Sequence, residues 1–173
     1  MGRPKHLLSH NGLTWLELAV EKLRQRVDRV VISGEGEIPF SLAGLPVVPD
    51  IAGLAGPLAG VLALMRREPE VSWLVAACDL PYLQVEALDW LLSFRRSTVR
   101  AVLPDLDRSG RVEPVLAYYD RDCRENLEEL VRRGSLKLSD LTRGPGVLSP
   151  QPPPGIRNSW RNINVPAELA DLE

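Results

Sequence analysis

The chain has 173 residues, of which 45% are hydrophobic and 25% charged, and its formal net charge is −2. This composition is ordinary for a globular protein and excludes a disordered, collagen-like or coiled-coil chain. The near balance of charge provides no basic field that would attract nucleic acid or an anionic membrane, and we expect neither as a partner. The length is typical of one domain, so we expect residues 1–173 to form a single domain.

Targeting signals and cysteines indicate where such a chain works. The two cysteines, Cys78 and Cys123, lack CxxC spacing and are too few for a disulfide framework. No apolar run approaches the roughly 20 residues of a membrane helix, and the first residues show no apolar signal-peptide segment. The sequence therefore predicts a cytoplasmic protein with reduced thiols.

The first third of the chain alternates helical and strand patterns. Thr14 and Glu17 have the spacing of a capping box, and apolar residues follow at helical spacing, which predicts a helix to about Arg26. The β-branched run 30–32 predicts a buried strand, and residues 45–49 predict a second, weaker one.

The middle of the chain continues this alternation. Pro57 fits the first turn of a helix. Residues 73–78 form an apolar run, which indicates a strand in the middle of a parallel sheet. The strand patterns 101–103 and 115–119 are joined by a polar loop too short for a helical crossover, so we expect them to pair antiparallel.

The last third contains two helical patterns and an irregular segment. A helix from about Arg121 to Arg133 should end at Gly134, and a short helix should follow around residues 136–141. Residues 144–155 are rich in Pro and Gly and are expected to be irregular. A final helix should start after Asn164, which is a plausible N-cap.

This order of elements predicts an α/β fold with a mostly parallel sheet and one antiparallel excursion. Ligands of such sheets bind beyond the carboxyl ends of the strands. The polar candidates that fall there are Ser33, Asp50, Asp79 and the pair Asn162 and Asn164.

Asp79 and Asp50 each follow a predicted strand and each has two interpretations. Asp79 could hold Mg²⁺, which takes one or two carboxylates together with substrate phosphates, or it could cap the next helix. Asp50 could accept hydrogen bonds from a base or ribose, or it could simply form a turn.

The remaining candidate residues also have both a functional and a structural interpretation. Lys5 could provide a point charge for phosphate or be solvated. The stretch from Gly56 to Gly60 allows a ligand to approach the backbone closely or permits tight packing against the sheet. Asn162 and Asn164 could face one side of an extended segment, with one meeting a ligand, although capping alone would explain Asn164.

Five short motifs in order give the chain a family resemblance. They are Met1-Gly2-Arg3-Pro4-Lys5 with Leu7-Leu8, Pro49-Asp50, Gly56-Pro57-Leu58-Ala59-Gly60, Cys78-Asp79-Leu80-Pro81 and Asn162-Ile163-Asn164-Val165-Pro166. With these motifs the chain resembles the molybdenum cofactor guanylyltransferases, within the MobA-like nucleotidyltransferases. The motif from Gly56 to Gly60 and the motif from Asn162 to Pro166 favour the guanylyl branch over the cytidylyl branch.

The resemblance implies a three-layer α/β/α Rossmann-like fold and Mg²⁺-dependent transfer of GMP from GTP to molybdopterin, with release of pyrophosphate. By motif, Lys5 would neutralise GTP phosphates, Asp50 and Gly56 would lie at the nucleotide, and Asp79 would hold the metal. Asn162 and Asn164 would border the molybdopterin and the metal. Transient contacts with proteins that make or accept the cofactor are also implied.

The chain departs from the family pattern at two places. The pattern opens with a strand and a Gly-rich phosphate loop that ends in Met-Gly, and the chain as given starts at Met1-Gly2. We therefore expect the first strand and phosphate loop to be missing from this sequence. The run Ser33-Gly34-Glu35 also lacks the asparagine that the family often carries there.

Two alternatives to an active guanylyltransferase follow from these departures. One is a truncated, non-catalytic protein of the same fold that binds a nucleotide or molybdopterin. The other is a related enzyme that uses CTP or a sugar phosphate.

Overall fold

Four α-helices and eight short strands make up the regular structure of residues 4–10 and 12–162, the part of the chain that this computed structural model describes. The helices are α1 (Trp15–Leu23), α2 (Pro57–Arg67), α3 (Val85–Leu92) and α4 (Cys123–Arg132). The strands are β1 (Ser9–His10), β2 (Leu13–Thr14), β3 (Ile32–Ser33), β4 (Val47–Val48), β5 (Trp73–Ala76), β6 (Ala101–Val102), β7 (Leu116–Tyr119) and β8 (Val147–Leu148). Short 3-10 helices cover Lys5–Leu7, Phe40–Leu42, Leu138–Arg143 and Pro154–Trp160.

The helix boundaries follow local chemistry that the sequence displays. Thr14 Oγ1 accepts from the Glu17 amide at 3.2 Å, and Glu17 Oε2 accepts from the Thr14 amide at 2.7 Å, which completes the predicted capping box. Helix α1 ends at Leu23, three residues before the predicted end. Helix α2 begins at Pro57, and α4 ends just before Gly134, both as predicted.

The strands form three sheets. Strands β1 and β2 pair antiparallel, β3 and β4 pair parallel, and the largest sheet has the order β5-β7-β6-β8. Strand β7 is antiparallel to both of its neighbours, whereas β6 and β8 are parallel. The predicted antiparallel pairing of the strands around 101–103 and 115–119 is therefore confirmed.

Two expectations about strands were wrong, and one strand pair was not predicted. Strand β5 was expected in the middle of a parallel sheet. It is instead an edge strand that pairs antiparallel with β7 and is only half-buried. Strand β8 lies in a segment that was expected to be irregular, because Val147 and Leu148 pair with β6 although Pro and Gly surround them. The hairpin of β1 and β2 was not predicted, since two-residue strands leave too few positions for an alternating pattern.

The core lies on both faces of the largest sheet. Ala101, Ala117 and Tyr119 pack towards α2 and α4, whereas Val102 and Tyr118 pack towards α3. Neighbouring strand residues thus point to opposite faces, as strand geometry requires. Helices cover the sheet on both sides, which gives the predicted three-layer α/β arrangement.

The remaining predictions on the fold concern the chain end and membranes. Leu138–Arg143 forms the short helix expected around residues 136–141, as a 3-10 helix. Asn164 and the helix predicted after it lie outside the described residues. Within residues 4–10 and 12–162, no helix is both long and apolar enough to span a membrane.

Candidate functional site

Lys5 and Asp79, which are 74 positions apart, meet in the folded chain. Lys5 Nζ lies 3.6 Å from Asp79 Oδ2, and the two side chains are 35% and 21% exposed. The alternative that Asp79 caps the next helix does not hold, because the N-cap of α3 is Gln84. The structure therefore brings together a cation and a carboxylate that remain partly accessible to a ligand.

His6 extends this contact across the same end of the fold. Its Nε2 lies 2.8 Å from the carbonyl oxygen of Glu37, so this nitrogen donates the hydrogen bond. Glu37 follows β3 along the chain, and Asp79 follows β5. Residues 5 and 6 thus touch the segments that leave the carboxyl ends of two different strands.

Asp50 and Ser33 meet helix α2 at Gly60. A Cβ built at Gly60 would lie 2.6 Å from Ser33 Oγ and 3.0 Å from Asp50 Oδ1. Only a glycine leaves room for both side chains against the helix. Asp50 itself is exposed, so its carboxylate is available to a ligand.

The start of α2 adds backbone donors to this region. Gly56 precedes the helix with φ 72° and ψ −171°, a conformation that residues other than glycine rarely adopt. Pro57 occupies the first turn, where its missing N–H is not needed. The helix therefore starts with its positive dipole end beside Gly56, which favours an anion there.

One large cavity is lined by several of these residues. Its volume is about 1380 Å³, and its wall includes His6, Ser33, Asp50, Gly56 and Cys78. This volume exceeds that of an ordinary small-molecule pocket, roughly 300–1,000 Å³. We call it the β3–β5 cleft, because the strand segments 30–34 and 72–78 form its two long walls.

The electrostatics favour binding of charged groups over covalent chemistry. Burial, together with the neighbouring Asp79 carboxylate, raises the pKa of the Cys78 thiol, although Lys5 acts in the opposite direction. A thiol with a raised pKa stays protonated at neutral pH and is a poor nucleophile. The site therefore supplies charge and hydrogen bonds.

The residues just before Asn162 contact the segment that follows Asp79. The guanidinium of Arg161 stacks over the ring of Tyr82, 5.4 Å from its centroid. Ser159 Oγ also accepts a hydrogen bond from the Gln84 amide at 3.1 Å. These contacts hold the end of the described chain against residues 79–84, while the second predicted asparagine, Asn164, lies outside the described residues.

Sequence reasoning missed the contacts of His6 and Arg161. The His6–Glu37 bond joins residues 31 positions apart, and the Arg161–Tyr82 stack joins residues even further apart. No local pattern marks either contact, since both depend on the tertiary arrangement. Ser33 was recognised as a polar residue at a strand end, and its position against Gly60 agrees with that.

The donor set suits a hard cation that needs few protein ligands. Among the described residues, no three or more His, Cys, Asp or Glu side chains are grouped so as to hold a metal ion. Asp79 is a single accessible carboxylate, and Mg²⁺ commonly takes one or two carboxylates and completes its shell with water and phosphate oxygens. The residues present therefore fit Mg²⁺ brought together with a phosphate ligand.

Comparisons with known proteins agree with this geometry. The MobA-like NTP transferase domain model matches residues 1–146. A probable molybdenum cofactor guanylyltransferase of Halalkalibacterium halodurans is 26% identical over 179 residues, covering 98% of this chain and 89% of the relative. One of Pelotomaculum thermopropionicum is 30% identical over 142 residues, covering 82% of this chain and 67% of the relative.

A solved structure shows the same likeness in three dimensions. Molybdopterin-guanine dinucleotide biosynthesis protein A of Archaeoglobus fulgidus superposes with a TM-score of 0.78 at 26% identity, covering 99% of this chain and 90% of that one. The likeness confirms the predicted Rossmann-like nucleotidyltransferase fold. The chain belongs to the family of MobA-like NTP transferase domains.

Proposed function

We propose that this protein is a molybdenum cofactor guanylyltransferase, which transfers GMP from GTP to molybdopterin and releases pyrophosphate. The observation that carries the proposal is the meeting of Lys5 and Asp79 beside the cleft that Asp50 and Gly56 line. The names of the relatives that align over nearly the whole chain support it.

The reaction requires charge neutralisation more than a covalent catalyst. A phosphate oxygen of molybdopterin attacks the α-phosphorus of GTP, and the bond to the pyrophosphate oxygen breaks, so one P–O bond replaces another. Such a transfer depends on positioning the reactants and on offsetting the charge of the phosphates. The cation, the carboxylate and the helix start beside the cleft meet these needs.

Lys5 and Asp79 have complementary roles in this proposal. Lys5 binds the phosphates of GTP through its ammonium group, which is a mobile point charge on a flexible stem. Asp79 holds Mg²⁺, which would neutralise phosphate charge at the reacting centre when bound. Their ion pair in the described structure is partly exposed, so a triphosphate can compete for it.

Asp50 and Gly56 form the nucleotide side of the site. The exposed Asp50 carboxylate accepts hydrogen bonds from the N–H groups of guanine or from the ribose hydroxyls. Gly56 allows the backbone at the start of α2 to approach the nucleotide closely.

Asn162 and Asn164 form the molybdopterin side of the site. The contacts of the chain end with residues 82–84 support this for Asn162. Asn164 is assigned by its motif alone.

The proposal also covers the setting of the reaction. We infer one catalytic domain across residues 1–173, which the 99% coverage in the Archaeoglobus superposition supports. We place the reaction in the cytoplasm, consistent with the free thiols of Cys78 and Cys123. Transfer of the product calls for transient contacts with proteins that supply molybdopterin or accept the finished cofactor.

The test compares two substitutions that each remove one carboxylate from an ion pair. Asp79→Asn removes the proposed metal ligand. Asp89, on α3, is the exposed ion-pair partner of Arg26, and Asp89→Asn serves as the matched control. Pyrophosphate release is measured with GTP, molybdopterin and Mg²⁺, and again with CTP in place of GTP.

We expect Asp79→Asn to lower the rate on the order of 10²-fold, the usual cost of losing one preorganised electrostatic group, and Asp89→Asn to leave it unchanged. Equal rates for the two variants would refute the role of Asp79. Faster turnover of CTP than of GTP would refute the guanylyl assignment. Nucleotide binding without pyrophosphate release would instead identify a non-catalytic binding protein.

A further inference from the structure

The chain that leaves the carboxyl end of β5 forms a fixed turn with one aromatic ring at its tip. The Leu83 amide donates to the Leu80 carbonyl oxygen at 3.1 Å, which closes the turn. Leu80 and Leu83 are both buried, and Pro81 restricts the backbone between them. Tyr82 is therefore held at the tip of a turn whose two ends are fixed in the core.

This ring lies close to the proposed metal ligand. Tyr82 follows Asp79 by three residues, so their Cα atoms are at most about 11 Å apart. A ligand that carries phosphate to Asp79 can therefore also contact a side chain held at Tyr82.

The guanidinium of Arg161 covers the ring of Tyr82. Its Cζ lies 5.4 Å from the ring centroid, within the roughly 6 Å over which a cation is attracted to an aromatic face. Arg161 is an exposed residue at the end of the last 3-10 helix. Stacking uses the flat face of a guanidinium, whereas the N–H groups that recognise phosphate point outward in its plane. The stack therefore orients a cation in a way that suits binding of an anion.

The chain just before Arg161 is anchored at two points. Trp160 is buried, and its Nε1 donates to the carbonyl oxygen of Leu116 in β7 at 2.9 Å. Ser159 Oγ accepts from the Gln84 amide at 3.1 Å. The long side chain of Arg161 thus starts from a fixed backbone and rests on a fixed ring. Less conformational entropy is then lost when it binds a ligand.

The stack and the nucleotide side of the site lie on opposite faces of the largest sheet. Trp160 and Leu83 belong to the core on the α3 side, whereas α2 packs on the other side. Gly56 and Gly60 belong to α2 and its start. Asp79 follows β5, a strand of the sheet between these two layers. A ligand that reaches Asp79 from the α3 side therefore meets Arg161 and leaves the nucleotide side open for GTP.

We propose that Arg161, stacked on Tyr82, binds the phosphate of the acceptor and positions it for attack on GTP. This inference rests on the proposed function, because it names the group that holds the acceptor of that reaction. A phosphate accepts two parallel hydrogen bonds from one guanidinium, and such charge-assisted pairs are among the stronger hydrogen bonds. Arg161 contacts the substrate, while Tyr82 is a positioning residue that acts through Arg161.

The charges of the reaction call for a cation on this side. The acceptor phosphate and the triphosphate of GTP are both anions, and they repel each other as they approach. In the proposed function, Lys5 and the metal at Asp79 offset the charge of GTP. Arg161 offsets the charge of the acceptor.

The test separates binding of the acceptor from binding of GTP. Calorimetric titration without GTP gives the Kd for molybdopterin, and pyrophosphate release gives the KM for each substrate. Arg161→Gln removes the charge, Arg161→Lys keeps the charge without the planar fork, and Tyr82→Leu removes the ring. Arg143→Gln is the matched control, because Arg143 is also an exposed arginine at the end of a 3-10 helix, on the opposite face of the sheet.

We expect Arg161→Gln to raise both the Kd and the KM for molybdopterin at least about 10-fold, as for the loss of a hydrogen bond to a charged group, with the KM for GTP unchanged. Arg161→Lys should fall between this variant and the unmodified protein. Tyr82→Leu should weaken molybdopterin binding about 3-fold, the cost of an exposed cation–π contact. Arg143→Gln should have no effect.

An unchanged Kd for molybdopterin in Arg161→Gln would overturn the inference, and so would an equal rise in the KM for GTP. A loss of stability in urea that accounts for the weaker binding would also overturn it, because the stack would then only hold the chain end. The proposed function fails by a different result. Binding of molybdopterin that depends on Arg161, without pyrophosphate release, would support the acceptor site and refute the transferase, whereas no binding of molybdopterin to the unmodified protein would overturn both.

Discussion

Gly60→Ala tests how closely the nucleotide side of the site is built against helix α2. The added Cβ would lie 2.6 Å from Ser33 Oγ and 3.0 Å from Asp50 Oδ1, whereas ordinary contact begins at 3.4 Å. The Ser33 hydroxyl must therefore retreat by about 0.8 Å, a displacement on the steep repulsive side of the van der Waals curve.

The effect on folding should be small. Alanine is favoured over glycine inside a helix by roughly 0.5–1 kcal/mol. The crowding acts on the ends of two side chains, and Asp50 is exposed and free to turn. Overpacking costs typically about 1–3 kcal/mol where the surroundings cannot adjust, and here they can. The two contributions oppose each other, so we expect the free energy of unfolding to change by less than about 1 kcal/mol.

The effect on the nucleotide should be larger. A misplacement of about 1 Å in a site can cost up to roughly 10²-fold in rate, and part of the displacement here is absorbed by side-chain rotation. We therefore expect the KM for GTP to rise about 10-fold, equivalent to about 1.4 kcal/mol. Steady-state pyrophosphate release gives KM, and urea unfolding gives stability.

The control for this variant is Gly155→Ala. A Cβ at Gly155 meets no atom within 4 Å, so this substitution adds the same methyl group without crowding. It should leave the KM for GTP unchanged. An unchanged KM in Gly60→Ala, or a loss of stability that accounts for the loss of activity, would refute the reasoning.

Three further predictions concern the fold. Thr14→Ala removes the capping box of α1 and should lower the free energy of unfolding in urea by about 1 kcal/mol; no change would mean the cap contributes nothing. Hydrogen bonds from the Ser41 and Thr14 hydroxyls lower the pKa of Glu17, so its stabilising contribution is present above its ordinary pKa and lost as the pH falls through the lowered value. Acid unfolding should therefore begin at higher pH when Ser41 is replaced by Ala. Burial raises the pKa of Cys123 to about 12, so iodoacetamide at pH 8 should modify Cys78 first, and the reverse order would contradict this.

The elements that the sequence predicted well are those with local causes. The capping box of Thr14, the first-turn Pro57 and the end of α4 before Gly134 depend on residues within a few positions of one another. Strand pairing depends on partners far along the chain. The apolar run at 73–78 predicted a strand, which forms over Trp73–Ala76, but its neighbours could not be read from its composition.

The same distinction holds for the site. Asp50 and Asp79 were proposed as site residues because a polar residue after an apolar strand marks the ligand edge of an α/β sheet. Lys5 was assigned from its motif, and the structure places it against Asp79. Tight packing at Gly60 was one of the two sequence interpretations, but Ser33 and Asp50 could not be identified as its partners, since that depends on the distance between α2 and two strand ends.

The half-buried state of β5 agrees with its place at the edge of its sheet. A run of apolar residues between two helical layers is normally buried on both faces and paired on both edges. Here the residues of β5 are half-buried, and residues 72–78 line the β3–β5 cleft. The composition of this run suggested the middle of a parallel sheet, but the pairing of β5 in the described structure is antiparallel, with β7.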